Sequence, residues 1–138
     1  MEYYLAIDVG TSEIKVVLFD KNFNLKIKKN CRNNVQYSSG GKSEVDMQDV
    51  WKRCKNLIFN ILQKNNNFSS KIICVGITAN MVGLWPINNN GKPLRKAILW
   101  NDNRTKKLID KLRQKEKSLE LPSHICLKGY LYHQLILI

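Results

Sequence analysis

The stretch Leu5-Ala6-Ile7-Asp8-Val9-Gly10-Thr11-Ser12-Glu13-Ile14-Lys15-Val16-Val17-Leu18-Phe19 places one carboxylate and two hydroxyls in a glycine turn between two apolar runs. Apolar runs of strand length around a short Gly-Thr-Ser link predict a β-hairpin. An acid where the first strand ends can hold Mg²⁺ through water, the usual arrangement for metal-bound phosphates, so Asp8 is the candidate metal residue. Gly10 lets the backbone approach a ligand closely. Thr11 and Ser12 add hydroxyl and amide donors, and Lys15 alternates out of the second strand as a candidate cation for a phosphate oxygen. The same residues also make an ordinary hairpin with Lys15 projecting into solvent, and short turns of this composition are common enough that the motif by itself leaves both readings open.

Working outward, Tyr3 to Ile7 reads as a continuous apolar strand and Ile14 to Phe19 as a second. Phe23, Leu25 and Ile27, alternating with Asn24, Lys26 and Lys28, make a third, so the chain opens with a meander. A loop rich in Ser and Gly follows from Tyr37 to Ser43. Asp46 then caps a predicted helix whose apolar positions are Val50, Trp51, Cys54, Leu57, Ile58, Ile61 and Leu62, ended by Asn65-Asn66-Asn67. Ile72 to Ile77 has the uninterrupted apolar character of a strand buried on both faces, as in the parallel part of a sheet. The order is βββαβ. Beyond Thr78, the apolar runs Met81 to Ile87 and Ala97 to Trp100 are joined through Asn88 to Gly91 as a hairpin-like excursion. A helix is then expected after Asn101-Asp102-Asn103, with Leu108, Ile109 and Leu112 facing inward. No clear period continues from Ser118, and the apolar ending Leu135 to Ile138 calls for a partner surface. Neither an internal repeat nor an interdomain linker is visible.

A length of 138 residues suits one domain. No apolar run approaches the ~20 residues needed to span a bilayer, so a soluble chain without a membrane partner is expected. Met1-Glu2-Tyr3-Tyr4 lacks the positive start of a signal peptide, which makes cytoplasmic residence the default. Cys31, Cys54, Cys74 and Cys126 are widely spaced and read as reduced, semi-buried thiols. The formal net charge of +12 would normally admit nucleic acid as a partner. Here the lysines are dispersed among asparagines, as in Lys64-Asn65-Asn66-Asn67, and a solvated basic surface is the preferred reading. Only Arg104 to Lys117 could act as a patch, softened by Asp110 and Glu116.

Three ordered motifs carry a resemblance. After the Asp8 hairpin come Gly76-Ile77-Thr78-Ala79-Asn80-Met81-Val82-Gly83-Leu84, then Asn90-Gly91-Lys92-Pro93-Leu94-Arg95, then Ala97-Ile98-Leu99-Trp100-Asn101-Asp102-Asn103-Arg104-Thr105. From about Tyr3 to about Leu112 the chain resembles the N-terminal domain of FGGY-family carbohydrate kinases, most of all xylulokinase-like members. The resemblance implies an α/β fold of the ribonuclease H-like, actin-like ATPase type, incomplete here, with a βββαβ core, a hairpin excursion and a following helix. It implies ATP-dependent transfer of a phosphoryl group to a hydroxyl of a sugar or polyol, with ATP and Mg²⁺ as cofactors. Asp8 then belongs to the metal and phosphate site, and Gly10, Thr11, Ser12 and Lys15 belong to the phosphate-binding hairpin.

On the acceptor side the resemblance points to Asn80, Met81, Val82, Trp100 and Asp102. Trp100 offers a flat apolar face to carbohydrate C–H groups, while Asn80 and Asp102 offer directional hydrogen bonds. Met81 and Trp100 equally suit a core, and Arg104 can pair with an acid to hold its loop. The sequence departs from the pattern at Asn80-Met81-Val82-Gly83, where xylulokinases typically carry Gln-Met-His-Gly, and at Asn103, where the family often has Gly. Residues 1–117 are therefore expected to form part of the sugar-binding domain, and 118–138 a divergent tail that suits an out-of-frame extension. The family's catalytic aspartate and nucleotide lobe are expected beyond residue 138, supplied by a missing C-terminal lobe or a split partner chain. The fragment by itself is expected to be inactive. A non-catalytic sugar- or nucleotide-binding module is the alternative, and a basic nucleic-acid binder ranks last.

Overall fold

The computed structural model describes residues 2–63 and 68–118, with no side-chain description at 112–113 and 115–118. In chain order the elements are β1 (Tyr3–Val9), β2 (Glu13–Asp20), β3 (Leu25–Arg32), β4 (Gln36–Ser38), β5 (Lys42–Val45), α1 (Met47–Leu62), a 3-10 turn (Ser69–Lys71), β6 (Ile72–Ala79), β7 (Gly83–Leu84), β8 (Ala97–Leu99) and α2 (Lys106–Ser118). They divide into two compact units. The described residues of Met1–Val35 and Asp46–Asn80 form the first, and Gln36–Val45 with the described residues from Met81 onward forms the second.

The first unit is a four-stranded sheet ordered β3-β2-β1-β6, with α1 against it. Alternation decides its faces. Tyr3, Leu5 and Ile7 of β1 and Ile14, Val16 and Leu18 of β2 are buried, as are Val50, Cys54, Leu57 and Ile61 of α1, whose spacing of three and four residues makes one stripe. The helix starts where Asp46 accepts hydrogen bonds from the backbone N–H groups of Gln48 (2.8 Å) and Asp49 (3.2 Å). β1 pairs antiparallel with β2 and parallel with β6, which gives the βββαβ core its mixed sheet.

Several burial expectations are corrected. Trp51 lies about 100° round the helix from Val50, outside the buried stripe, and is exposed with the Lys55 ammonium 5.5 Å from its ring centroid. Phe23 sits in a turn ahead of β3 with φ 60°, stacked on Tyr4 at 5.0 Å, and both it and Leu25 are exposed. β6 is a strand, but Ile73, Val75 and Ile77 are exposed because α1 packs over β2 and β3 and, among the described residues, β6 pairs with β1 alone. Cys74 is exposed with them, while Cys31 is half-buried and Cys54 buried; all three are free thiols. The helix terminator at 65–67 and Cys126 lie outside the described residues, as does the apolar ending.

The second unit is an antiparallel sheet ordered β4-β5-β8-β7. The Ser- and Gly-rich loop is itself a hairpin, turned by Gly40 and Gly41 at φ 77° and 78°, a left-handed pair that glycine adopts without steric cost. Val45, Ala97, Ile98, Leu99 and Ile109 form its buried apolar part. The expected excursion is the β7–β8 pair, extended by a bridge between Ile87 and Pro93. In α2, Ile109 is buried as expected, Leu108 is exposed, and the side chain of Leu112 lies outside the described residues. No helix among the described residues is long and apolar enough to cross a membrane.

Candidate functional site

In the first unit the β1–β2 turn is built around a close approach. The Gly10 N–H donates to the Glu13 carbonyl at 3.0 Å, and a Cβ at Gly10 would lie 2.8 Å from that same oxygen, so only glycine fits. Asn33, just past β3, holds the turn from behind. Its backbone N–H donates to the Ser12 carbonyl (2.9 Å) and its side-chain amide to the Gly10 carbonyl (3.0 Å). The Asn33 side-chain oxygen is buried without a hydrogen-bond partner among the described residues.

The register then aligns the polar groups. Asp8 stands opposite Lys15 on β2 and beside Thr78 on β6. The Lys15 ammonium lies 3.7 Å from the Asp8 carboxylate and 3.4 Å from that of Glu13. A hydrogen bond from the Asn30 amide, reinforced by Lys15, holds the Glu13 carboxyl below the usual range. At the end of β6 the Asn80 N–H donates to the Val9 carbonyl (2.9 Å), and the Asn80 amide reaches the Thr11 hydroxyl at 3.4 Å. Asp8, Thr11, Lys15 and Asn80 are thus tied to one turn. Beside them is an open depression of about 350 Å³ lined by Ala6, Asp8, Lys15, Val17, Gly76 and Thr78 among others.

A free-standing metal site does not fit this donor set, since no group of three His, Cys, Asp or Glu side chains converges among the described residues. A phosphate-borne Mg²⁺ does fit. That ion keeps several waters and needs one or two carboxylates besides its phosphates, and the half-exposed Asp8 is a carboxylate that would serve.

In the second unit the candidates behave differently from one another. Met81 is 81% exposed and Trp100 43% exposed, so neither is a core residue. Asp102 is turned inward at 4% exposure. Its carboxylate accepts from the Ser43 N–H (2.7 Å), the Arg104 N–H (3.1 Å), and Arg104 Nε and Nη2 (2.8 and 2.7 Å). Those four bonds fill the acceptor sites a carboxylate has. Burial pushes the Asp102 carboxyl up, and the Arg104 and Ser43 hydrogen bonds outweigh it, leaving it below the usual range. Arg104 also donates to Glu44 at 2.7 Å, and Glu44 takes Arg95 at 2.8 Å on the same oxygen. The Arg104 bond holds the Glu44 carboxyl low. Ser43 Oγ adds a bond to the Asn101 side chain (2.8 Å). Arg104 is therefore the residue that pairs with acids to hold its loop.

Glu44, Ser43 and Asn33 were not singled out by sequence. Ser43 and Glu44 act across about sixty residues, and Asn33 is hidden in a chain rich in asparagine, so no local spacing marks them.

The mixed βββαβ sheet has the fold of the actin-like ATPases. A family model described as "FGGY family of carbohydrate kinases, N-terminal domain" matches residues 3–136, and the chain belongs to that family. The match takes in most of residues 118–138. Among similar proteins, a probable L-xylulose kinase of Haemophilus influenzae is 33% identical over 87% of this chain and 24% of its own. A glycerol kinase of Borrelia hermsii is 33% identical over 85% of this chain and 24% of its own. The solved structure of Plasmodium falciparum glycerol kinase with ADP superposes with a TM-score of 0.69 at 27% identity, over 83% of this chain and 23% of that one. The chain spans about a quarter of the length of the curated relatives it matches.

Proposed function

We propose that this chain supplies the phosphate hairpin and the acceptor-binding face of an ATP-dependent kinase that phosphorylates a hydroxyl of a xylulose-like sugar or polyol. The observation that carries the reading is the row Asp8, Lys15 and Thr78 beside a Gly10 turn that tolerates no side chain. Phosphoryl transfer is mainly positioning and neutralisation of charge on the phosphoryl oxygens. Mg²⁺ brought with ATP would supply neutralisation, and Asp8 would be the carboxylate that holds it. Lys15 leaves the Asp8 carboxylate and pairs with a phosphate oxygen, while Gly10, Thr11 and Ser12 present backbone and hydroxyl donors. In the second unit, Met81, Val82 and Trp100 contact the acceptor, with Asp102 holding the Trp100 loop in place.

The acceptor hydroxyl needs a base within hydrogen-bond reach. Asp8 is committed to the phosphate side and the Asp102 carboxylate is filled, so neither of these two described carboxylates supplies that base, and the reading expects no sugar turnover by the purified chain. Two measurements test this. Calorimetric titration with Mg·ATP is expected to show binding that Asp8→Ala weakens at least tenfold; binding insensitive to that change would remove the phosphate reading. Robust xylulose- or glycerol-dependent ATP consumption by the purified chain would sink the inactivity.

A further inference from the structure

The turn Gly10-Thr11-Ser12-Glu13 between β1 and β2 lacks the bond that closes an ordinary β-turn, in which the carbonyl of the first residue accepts from the N–H of the fourth. The Gly10 N–H donates to the Glu13 carbonyl at 3.0 Å, but among the described residues no bond runs back from the Glu13 N–H to the Gly10 carbonyl. That carbonyl accepts instead from the Asn33 side-chain amide at 3.0 Å, from 23 positions away in the chain.

Asn33 is 8% exposed and grips the turn twice, its backbone N–H on the Ser12 carbonyl (2.9 Å) and its amide on that of Gly10. A rotated amide would set oxygen against oxygen, so the Gly10 carbonyl dictates which way the amide faces. The amide oxygen is thereby left buried without a partner among the described residues. An unpaired buried acceptor costs stability, and a turn closed by its own backbone bond would not incur that cost. The second consequence falls on Glu13. Its N–H is not consumed in closing the turn, and its carboxylate is drawn aside by the Asn30 amide and by the Lys15 ammonium at 3.4 Å. Backbone N–H groups in a turn of this kind make an anion-binding concavity, here between strands that carry Asp8 and Lys15.

We infer that Asn33 is a positioning residue for the phosphate hairpin: by holding the Gly10 carbonyl in place of the Glu13 N–H, it keeps the turn open and leaves that N–H to a phosphate oxygen. The inference rests on the phosphate reading proposed above. A hydrogen bond to a charged acceptor is worth about tenfold or more in affinity, which sets the expected loss when the turn closes on itself.

The test follows amide exchange by NMR on the full chain, with Mg·ATP as the probe. In the wild-type chain, saturating Mg·ATP is expected to slow exchange of the Glu13 N–H about tenfold or more, and no protection there overturns the inference. Asn33→Leu keeps the side-chain shape and removes the buried oxygen together with the amide. The released Gly10 carbonyl then takes the Glu13 N–H. Without nucleotide that amide is expected to exchange about tenfold more slowly than in the wild type, while Mg·ATP binds about tenfold more weakly. A residue that merely braced the turn would give the opposite exchange result. Unchanged or faster Glu13 exchange in Asn33→Leu, or Mg·ATP affinity within about twofold of the wild type, overturns the inference. Asn33→Ala carries the same expectations if the leucine chain loses the α1 circular-dichroism signal. Wild-type chain that binds no Mg·ATP, or binding that survives Asp8→Ala, removes the phosphate reading and this inference with it; Asp8-dependent binding with an unresponsive Glu13 amide removes the inference alone.

Discussion

Replacing Asp102 by alanine isolates the network that holds the Trp100–Arg104 loop. The change removes four hydrogen bonds at once, two of them from the Arg104 guanidinium, and leaves the Ser43 N–H without its acceptor. Breaking a buried ion pair by deleting one partner costs about 3–5 kcal/mol. Arg104 is not stranded, because it keeps Glu44 at 2.7 Å and 19% of its side chain is in contact with water. The lower end, about 3 kcal/mol, is the expected loss, equivalent to roughly a hundredfold in a local opening equilibrium. The Asn103 amide is the reporter. It donates to the Gly41 carbonyl at 2.7 Å and makes no bond to Asp102, so it reads the loop's attachment and not the deleted contact. Hydrogen exchange of that amide is expected to speed up about a hundredfold in Asp102→Ala. In Arg95→Ala, which removes only a half-exposed arm from Glu44, the change stays within about fivefold. Asn103 exchange within threefold of the wild-type rate in Asp102→Ala would refute the claim that Asp102 anchors this loop.

The same network sets a pH dependence. Asp102 and Glu44 both have carboxyls held below their ordinary values, so the unfolded chain binds protons more readily than the folded one. Their contribution is fully present above the unfolded values of about 3.9 and 4.3 and is lost as pH falls through the lower folded values. A urea midpoint for the second unit that is flat from pH 7 to about 5 and drops below about pH 4 is expected; a midpoint that rises on acidification would contradict the assignment. In the first unit, Gly10→Ala drives a Cβ to 2.8 Å from the Glu13 carbonyl, which is backbone and cannot swing away. Mg·ATP affinity is expected to fall about tenfold or more with the α1 circular-dichroism signal intact, at a stability cost of about 1–3 kcal/mol.

Local patterns were legible and long-range commitments were not. The Asp8 hairpin could be read because a glycine turn between two apolar runs is a short-range signature, and α1 because Asp46 and the Val50, Cys54, Leu57 and Ile61 spacing lie within one helix. Trp51 was misplaced by one position on the helical wheel, an error periodicity invites when an aromatic borders the stripe. β6 was recognisable as a strand, but its burial depends on which neighbours cover it, and composition cannot report that. Asp102 is the sharpest case. Its residue type and neighbours suit a sugar contact, whereas Ser43 and Arg104 turn it inward, and Ser43 lies 59 positions away. The positive φ of Val82 and the close approach of Gly83 to the Ile98 carbonyl likewise leave no trace in the spacing of residues.

The bare outer face of β6 also governs how the chain behaves in bulk solution. Ile72–Ala79 contains no charged residue and no proline, and its Ile73, Val75 and Ile77 side chains are open to water. An uncharged apolar strand at a sheet edge is a template for pairing with a neighbouring molecule. The formal charge of +12 opposes that pairing by keeping molecules apart. Salt shortens the reach of this repulsion to about 3 Å at 1 M and leaves the apolar strand as adhesive as before, so the lysines scattered over the surface act as a colloidal guard whose strength is set by ionic strength.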